Sequence, residues 1–523
     1  MRGLDLAIIA LFLVGMPLLG TWIGGRQKSA TDYFVSEKRI SWWVVCLSVV
    51  SAETSTLTVL SVPVIAYMAT PAQGGMTYLT LALGYIVGRI IVSFVLLPRY
   101  VKGDLVTAYA YLGQRYGNGM RATASITFLF TRLLADGIRL FATAIPIKVV
   151  LAQYGITASY WVIVLALGIA MVFYSFFGGV RAVVWVDAIQ MLWYVLGGIV
   201  VIWVLAGKLP DGWFGRAADA NKFQLFDFTS SPLTGAYPFV AAFFGGALLS
   251  MASHGADQLI VQRLMATRDV KAAQKALIAS GFVVFLQFAF FLFIGVMMWA
   301  FYNGVDPVKD LGLNNKDELF AHFIVTMPSG LSGFVIAGIL AAALSSSLGA
   351  LASSTVTDVY ERVRKTPMTD EERLRHGRIW TLVWAGLLIV CAGVFASSNK
   401  TTADPIVVQA LGIAGYTYGA LLGAFLLGLV FRRVTQADAI IAFVSTVLVV
   451  GFVILGVKFV GTTPTIDFAK ADATRKSLTG WWNTPLGVAV TLLVGGLLSL
   501  RHSSEPRSGA VPVGDELDVE PKA

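Results

Sequence analysis

The chain has 523 residues, 57% of them hydrophobic and 13% charged, with a formal net charge of +9. Soluble proteins carry about a quarter charged residues, so this composition excludes a soluble enzyme or binding domain and specifies a polytopic membrane protein. The basic excess is scattered among loops between apolar runs, without the clustered patch or motif that nucleic-acid binding requires.

Counting apolar runs of spanning length predicts an all-α chain of about thirteen transmembrane helices. Their centres fall near residues 14, 55, 88, 136, 168, 194, 250, 288, 345, 386, 417, 447 and 490. The first run, Leu4 to Gly24, follows one cation (Arg2) and lacks a small-residue cleavage site. Residues 1–25 therefore read as a retained extra helix and not a signal peptide.

The second run, Ile40 to Ala69, has at its middle the polar string Ser51-Ala52-Glu53-Thr54-Ser55-Thr56. A carboxylate at the bilayer midplane costs a few kcal/mol unless it faces protein or water and has a partner. Polar, hydroxyl-rich backbone at that depth is tolerated only where it lines a cavity. Ser51, Glu53 and Thr54 are thus candidate ion-coupling residues on a path for an ion or polar solute.

In the fourth run Arg132, Asp136 and Arg139 are spaced four and three apart and share one helix face. Three charges at mid-depth do not face lipid. Arginine's planar fork of donors suits a carboxylate, which makes these three candidate substrate-binding residues for an anionic solute. The competing reading is a self-satisfied Arg–Asp–Arg triad that ties helices together. Gly245-Gly246 in the seventh run, five helices after the polar string, reads as a second interruption. Paired interruptions in two halves indicate an inverted-repeat transporter, although membrane helices also use glycine for packing. His254 and Asp257 are expected at a helix end. Cys46 and Cys391 lie in apolar stretches and define neither a disulfide framework nor a metal site.

Loop charge alternates. Cations concentrate around residues 26–39, 102–121, 263–275, 362–378 and 432–433, while the longer loops 207–236 and 302–332 are poorer in them. The positive-inside rule then places the N-terminus outside and the C-terminus in the cytoplasm of a cell-membrane protein. Residues 503–523, rich in Pro, Ser, Gly and Glu, are expected to be a disordered cytoplasmic tail.

Four segments stand in order along the chain: Asp32-Tyr33-Phe34 followed by Trp42-Trp43; the stretch from Gly178-Gly179 to Asp187-Ala188-Ile189-Gln190; Asp257-Gln258 with Val261-Gln262-Arg263; and Gly415-Tyr416-Thr417-Tyr418-Gly419. Together they resemble the sodium:solute symporter family, which includes the sodium–glucose, proline, sialic acid and iodide cotransporters. Val186 departs from the threonine usual in the second segment. The resemblance implies a leucine-transporter-type core of five plus five helices over residues 40–433 with alternating access to a central site, followed by two further helices in 434–502.

The resemblance also implies sodium bound between the broken first core helix and a hydroxyl pair on the eighth. Counting back from Thr357-Asp358 places Ala342 and Ala343 where that pair belongs. Ser345 and Ser346, one turn on, fall where some relatives build a sodium site with the aspartate that matches Asp187. A four-residue slip would put Ser346-Ser347 at the usual position instead. Glu53 stands where sodium–glucose relatives carry a neutral residue. It is read as a sodium ligand, as a proton carrier (burial favours the neutral form of a carboxyl group) or as one half of a salt bridge with Arg89 or Arg132. Gln409, at the start of the tenth core helix, is a further candidate for substrate hydrogen bonding.

The expected function is a sodium-driven symporter importing a small polar solute, with proton coupling as the alternative and a transporter-like membrane sensor as a weaker one. A channel is disfavoured by the internal pseudo-repeat. An enzyme is disfavoured because no nucleophile–base or metal motif stands in a suitable context. The expected partners are the solute and the lipid bilayer, with no cofactor beyond the coupling ion and no obligate protein partner.

Overall fold

The computed structural model describes residues 2–25, 29–36, 40–54, 56–103, 105–153, 155–313, 315–343, 347–364, 368–397, 406–468 and 474–502. In lipid every backbone polar group must be satisfied within its own segment, so the apolar runs form helices. Among the described residues seven helices are long and apolar enough to cross a membrane, or nine if each of two bent pairs is one span.

Helix α1 (Arg2–Gly24) packs against the rest of the protein along its length, with the Phe12 ring 5.2 Å from that of Trp193 and Gly24 close against Gly178, and its start is anchored by a carboxylate. The Asp5 carboxylate accepts hydrogen bonds from the Gly330 and Gly333 amides at 2.7 and 2.8 Å and from the Ser332 hydroxyl at 2.9 Å. A carboxylate at a helix start satisfies orphan amides and complements the dipole.

The second run is the first bent pair. Helix α2 (Trp42–Glu53) gives way to α3 (Thr56–Met68) at an angle of 61°. The run of serines and threonines there offers side-chain oxygens that compete with helical backbone bonds, which permits a break. Helix α4 (Leu79–Val95) follows, then the 36-residue α5 (Asn118–Gln153), which carries Arg132, Asp136 and Arg139 at mid-length. Helix α6 (Tyr160–Ala206) is 47 residues long and bends at Gly179, where φ is 58° and ψ is −166°. That conformation is open essentially to glycine alone, and it separates the runs centred near 168 and 194.

The second bent pair is α7 (Phe239–Gly255) and α8 (Gln258–Met265), meeting at 60°. This corrects the expected break at Gly245-Gly246. Both glycines lie inside α7, where a Cβ on Gly245 would strike the Trp481 carbonyl and one on Gly246 the Leu81 carbonyl. They serve close packing, and the chain bends ten residues later, where Asp257 caps α8 by accepting from the Leu259 amide at 2.8 Å.

Helices α9 (Val270–Phe301), α10 (Leu331–Ala343), α11 (Leu348–Ser354), α12 (Asp370–Ser397), α13 (Ile406–Val430), α14 (Gln436–Gly456) and α15 (Asn483–Ser499) complete the bundle. A π-helix, Thr355–Tyr360, continues α11. The expectation of an all-α chain is corrected between α14 and α15. Strands β1 (Val457–Val460), β2 (Thr463–Ile466) and β3 (Arg475–Ser477) form a small antiparallel sheet in the order β2-β1-β3. Val460 pairs with Thr463 across Gly461, whose φ of 63° suits a two-residue hairpin turn. The expected tail, 503–523, lies outside the described residues.

One loop contact fixes the C-terminal half of the first bent pair. The buried Lys222 ammonium donates to the Ala66, Tyr67 and Ala69 carbonyls at 3.1, 2.8 and 2.6 Å and lies 5.1 Å from the Trp299 ring centroid. It satisfies the last carbonyls of α3 and offsets the negative end of the helix. Lys222→Met strips these carbonyls of their donor, and the expected result is a loss of about 1–3 kcal/mol. Melting of the detergent-purified protein checks this; an unchanged midpoint would mean that the cap contributes nothing.

Candidate functional site

The two breaks face each other across the charged segment of α5. Arg132 Nε donates to Asp136 Oδ2 at 2.8 Å, one turn along the same helix, and its Nη1 reaches Asp257 Oδ2 at 3.3 Å. Tyr418 of α13 donates to the same Asp257 oxygen at 2.6 Å. Asp257 therefore caps α8 with one oxygen and holds α5 and α13 with the other. Arg139 points at the first break: its Nη1 donates to the Ala52 carbonyl at 3.3 Å and lies 3.8 Å from Asp136 Oδ1. Its side chain is 25% exposed, against 8% for Arg132. The local charge count is two arginines and two aspartates, but Arg132 takes the shorter contacts to both carboxylates.

The break residues have their own partners. Glu53 pairs with the fully buried Arg89, whose Nη1 also donates to Ser280 Oγ at 2.8 Å. His254 Nε2 stands 3.7 Å from the same Glu53 oxygen. The Thr54 hydroxyl accepts from Gln287 Nε2 at 2.7 Å. Across the break, Thr143 donates to the Thr56 hydroxyl at 3.0 Å, and Thr56 donates to the Ile339 carbonyl at 3.1 Å. Ser51 Oγ is buried without a hydrogen-bond partner among the described residues.

Asp187 lies in a second polar cluster, between α2, α6 and α8. Arg263 donates to Asp187 Oδ2 from Nη2 at 2.8 Å and from Nε at 3.1 Å, and Ser48 donates to the same oxygen at 3.0 Å. One turn beyond Asp187, Gln190 is fully buried and neither of its amide atoms meets a hydrogen-bond partner among the described residues. Buried polar groups are normally paired, so Ser51 and Gln190 are polar atoms available to an ion or water. Among the described residues no group of three or more His, Cys, Asp or Glu could hold a metal ion. Hydroxyl, amide and carbonyl oxygens, the donor set of a hard monovalent cation, are what this region offers.

The structure thus gathers Ser51, Glu53 and Thr54 at one break and links Arg132, Asp136 and Arg139 to both breaks. Ser345 and Ser346 lie outside the described residues. Gln409 is described only as backbone within α13. Sequence reasoning gave no site role to Arg89, Arg263, Tyr418 or Gln190, and it placed Asp257 only at a helix end. The last four lie in the motifs quoted above, whereas Arg89 was considered only as an ion-pair partner for Glu53.

Residues 33–445 match the description of the sodium:solute symporter family. The chain belongs to that family. It is 30% identical over 457 residues to the sodium/sialic acid symporter of Aliivibrio fischeri, covering 84% of this chain and 86% of that one. It is 26% identical to the sodium/glucose cotransporter of Vibrio parahaemolyticus, covering 85% and 84%. A solved sodium-coupled sialic acid symporter in a substrate-bound outward-open state superposes with a TM-score of 0.80 at 23% identity, over 96% of this chain and 98% of that one. A nucleobase-cation-symport-1 transporter superposes with a TM-score of 0.56 at 12% identity, over 91% and 95%. At those identities the likeness establishes the fold. The protein is a multi-pass membrane transporter that couples movement of a small solute to sodium.

Proposed function

We propose that this symporter imports a small organic anion with sodium, by alternating access between five-plus-five inverted-repeat helices within a thirteen-helix chain whose N-terminus is outside. The bends at α2–α3 and α7–α8, of 61° and 60°, supply the paired interruptions that such a repeat needs. The cation-rich loops supply the orientation.

The observation that carries the anionic solute is Arg139. It stands at the first break with one carbonyl partner and a loose 3.8 Å carboxylate contact, and its Nε has no hydrogen-bond partner among the described residues. A guanidinium held this way keeps donors free for a solute carboxylate. Arg132, Asp136, Asp257 and Tyr418 hold it in place and, with Gln409, frame the solute. Sodium is assigned to Ser51, Thr54 and Asp187, with Ser345 and Ser346 from the eighth core helix. Glu53 is best read through its partner: the Arg89 ion pair supports a salt bridge that fixes the break, leaving the sodium to neutral oxygens and Asp187.

Uptake into proteoliposomes under an inward sodium gradient tests this, with sialic acid, a monocarboxylate, iodide and glucose as solutes. The expected result is uptake of a carboxylate, with Arg139→Gln raising its KM at least about tenfold, since a charge-assisted hydrogen bond contributes roughly 1.5–3 kcal/mol. Glucose uptake indifferent to Arg139→Gln would overturn the anionic reading. Uptake driven by a pH gradient without sodium would favour the proton alternative, for which His254 beside Glu53 offers a second titratable group.

A further inference from the structure

A cavity of about 600 Å³ opens between the segments 207–238, 302–330 and 457–482, the side that the proposed orientation places outside. Its walls include Ile65 and Met68 at the end of α3 and Gly415 of α13. One turn below Gly415 on α13, Tyr418 is hydrogen-bonded to Asp257 beside Arg132. The cavity therefore leads towards the solute cluster.

Its charge is one-sided. Lys316 and Lys476 line it, and among the described lining residues there is no carboxylate. Asp317 and Glu318, which follow Lys316, are buried at 4% exposure each. Thr484, in the first turn of α15, is part of the wall, so that helix adds the positive end of its dipole. The negative end of α3 would oppose this, but Lys222 covers its last carbonyls. Burial lowers the Lys222 pKa to about 8, so the cover remains largely charged at neutral pH. Gln73 and Thr77 add hydrogen-bonding groups. A concave surface lined by one sign of charge concentrates counter-ions.

We propose that this outer cavity is a second, low-affinity anion-binding site that captures small organic carboxylates through Lys316 and Lys476 before they reach the Arg132–Arg139 cluster. The order of capture rests on the anionic-solute reading; the binding itself does not.

The test uses the full-length protein in proteoliposomes, with Thr479→Cys placed in a Cys46→Ala/Cys391→Ala background. The probes are methanethiosulfonates carrying a sulfonate, a trimethylammonium or no charge. At low ionic strength the sulfonate reagent is expected to react about tenfold faster than the cationic one, from two ammonium groups acting across a wet cavity. Lys316→Gln/Lys476→Gln should abolish that preference while the neutral reagent's rate holds, which shows that the fold and access are intact. Sialic acid should slow the neutral reagent saturably, glucose should not, and the double variant should lose this protection. Equal rates for the two charged reagents in the parent, a preference that survives the double variant, or no protection by sialic acid would each overturn the proposal. Labelling needs no transport, so these results stand even if the uptake panel returns a neutral solute.

Discussion

Asp187→Ala is expected to destabilise the protein by about 3–5 kcal/mol, because it leaves the Arg263 guanidinium buried without its carboxylate. Both partners are nearly inaccessible, at 0% and 3% side-chain exposure, with contacts of 2.8 and 3.1 Å. Exchanging the whole pair for apolar side chains in Asp187→Ala/Arg263→Met should recover much of the loss, since the uncompensated charge and not the missing contact dominates the cost. Melting in sodium against potassium at constant ionic strength supplies the functional half. A ligand that binds only the folded state raises the midpoint as its concentration exceeds its Kd. The parent should show a sodium-specific rise, and both variants should lack it. A double variant that keeps the rise would show that Asp187 does not serve sodium.

Glu53→Gln carries the second large effect. It removes the carboxylate from Arg89, a guanidinium with no exposed surface whose remaining side-chain hydrogen-bond partner among the described residues is Ser280. An unpaired arginine inside the membrane costs a few kcal/mol, so the variant should yield less folded protein and lose sodium-driven uptake. Glu53→Gln/Arg89→Gln replaces the ion pair by two neutral amides. We expect it to restore folding and a substantial part of sodium-driven uptake, because the pair's proposed task is to fix α2 against α4 at the break. A double variant that folds well yet stays inactive would return Glu53 to direct ion coupling. Uptake by that double variant in sodium and in a pH gradient checks the assignment.

Much of the frame could be read from the chain. The apolar runs led to helices because lipid offers the backbone no hydrogen-bond partners. The polar string at residues 51–56 announced a break because hydroxyl side chains compete with helical backbone bonds. The common face of Arg132, Asp136 and Arg139 followed from the helical repeat, and Arg132–Asp136 is a bond within one turn. The short sheet between α14 and α15 escaped notice, since strands of three and four residues leave little periodic signal beside membrane helices.

What the sequence alone determined is the membrane class, the family and which helix faces carry charge; these depend on composition and on neighbours within a turn. Tertiary structure decided the partners. Glu53 meets Arg89 36 residues away, Asp187 meets Arg263 across 76, Arg132 meets Asp257 across 125 and Tyr418 meets Asp257 across 161. It also decided that Gly245 and Gly246 pack while the chain bends at Asp257. A glycine permits either outcome, and only the Trp481 and Leu81 carbonyls lying against α7 select packing. Buried charges select partners by distance and desolvation in three dimensions, and neither quantity is written in the order of residues.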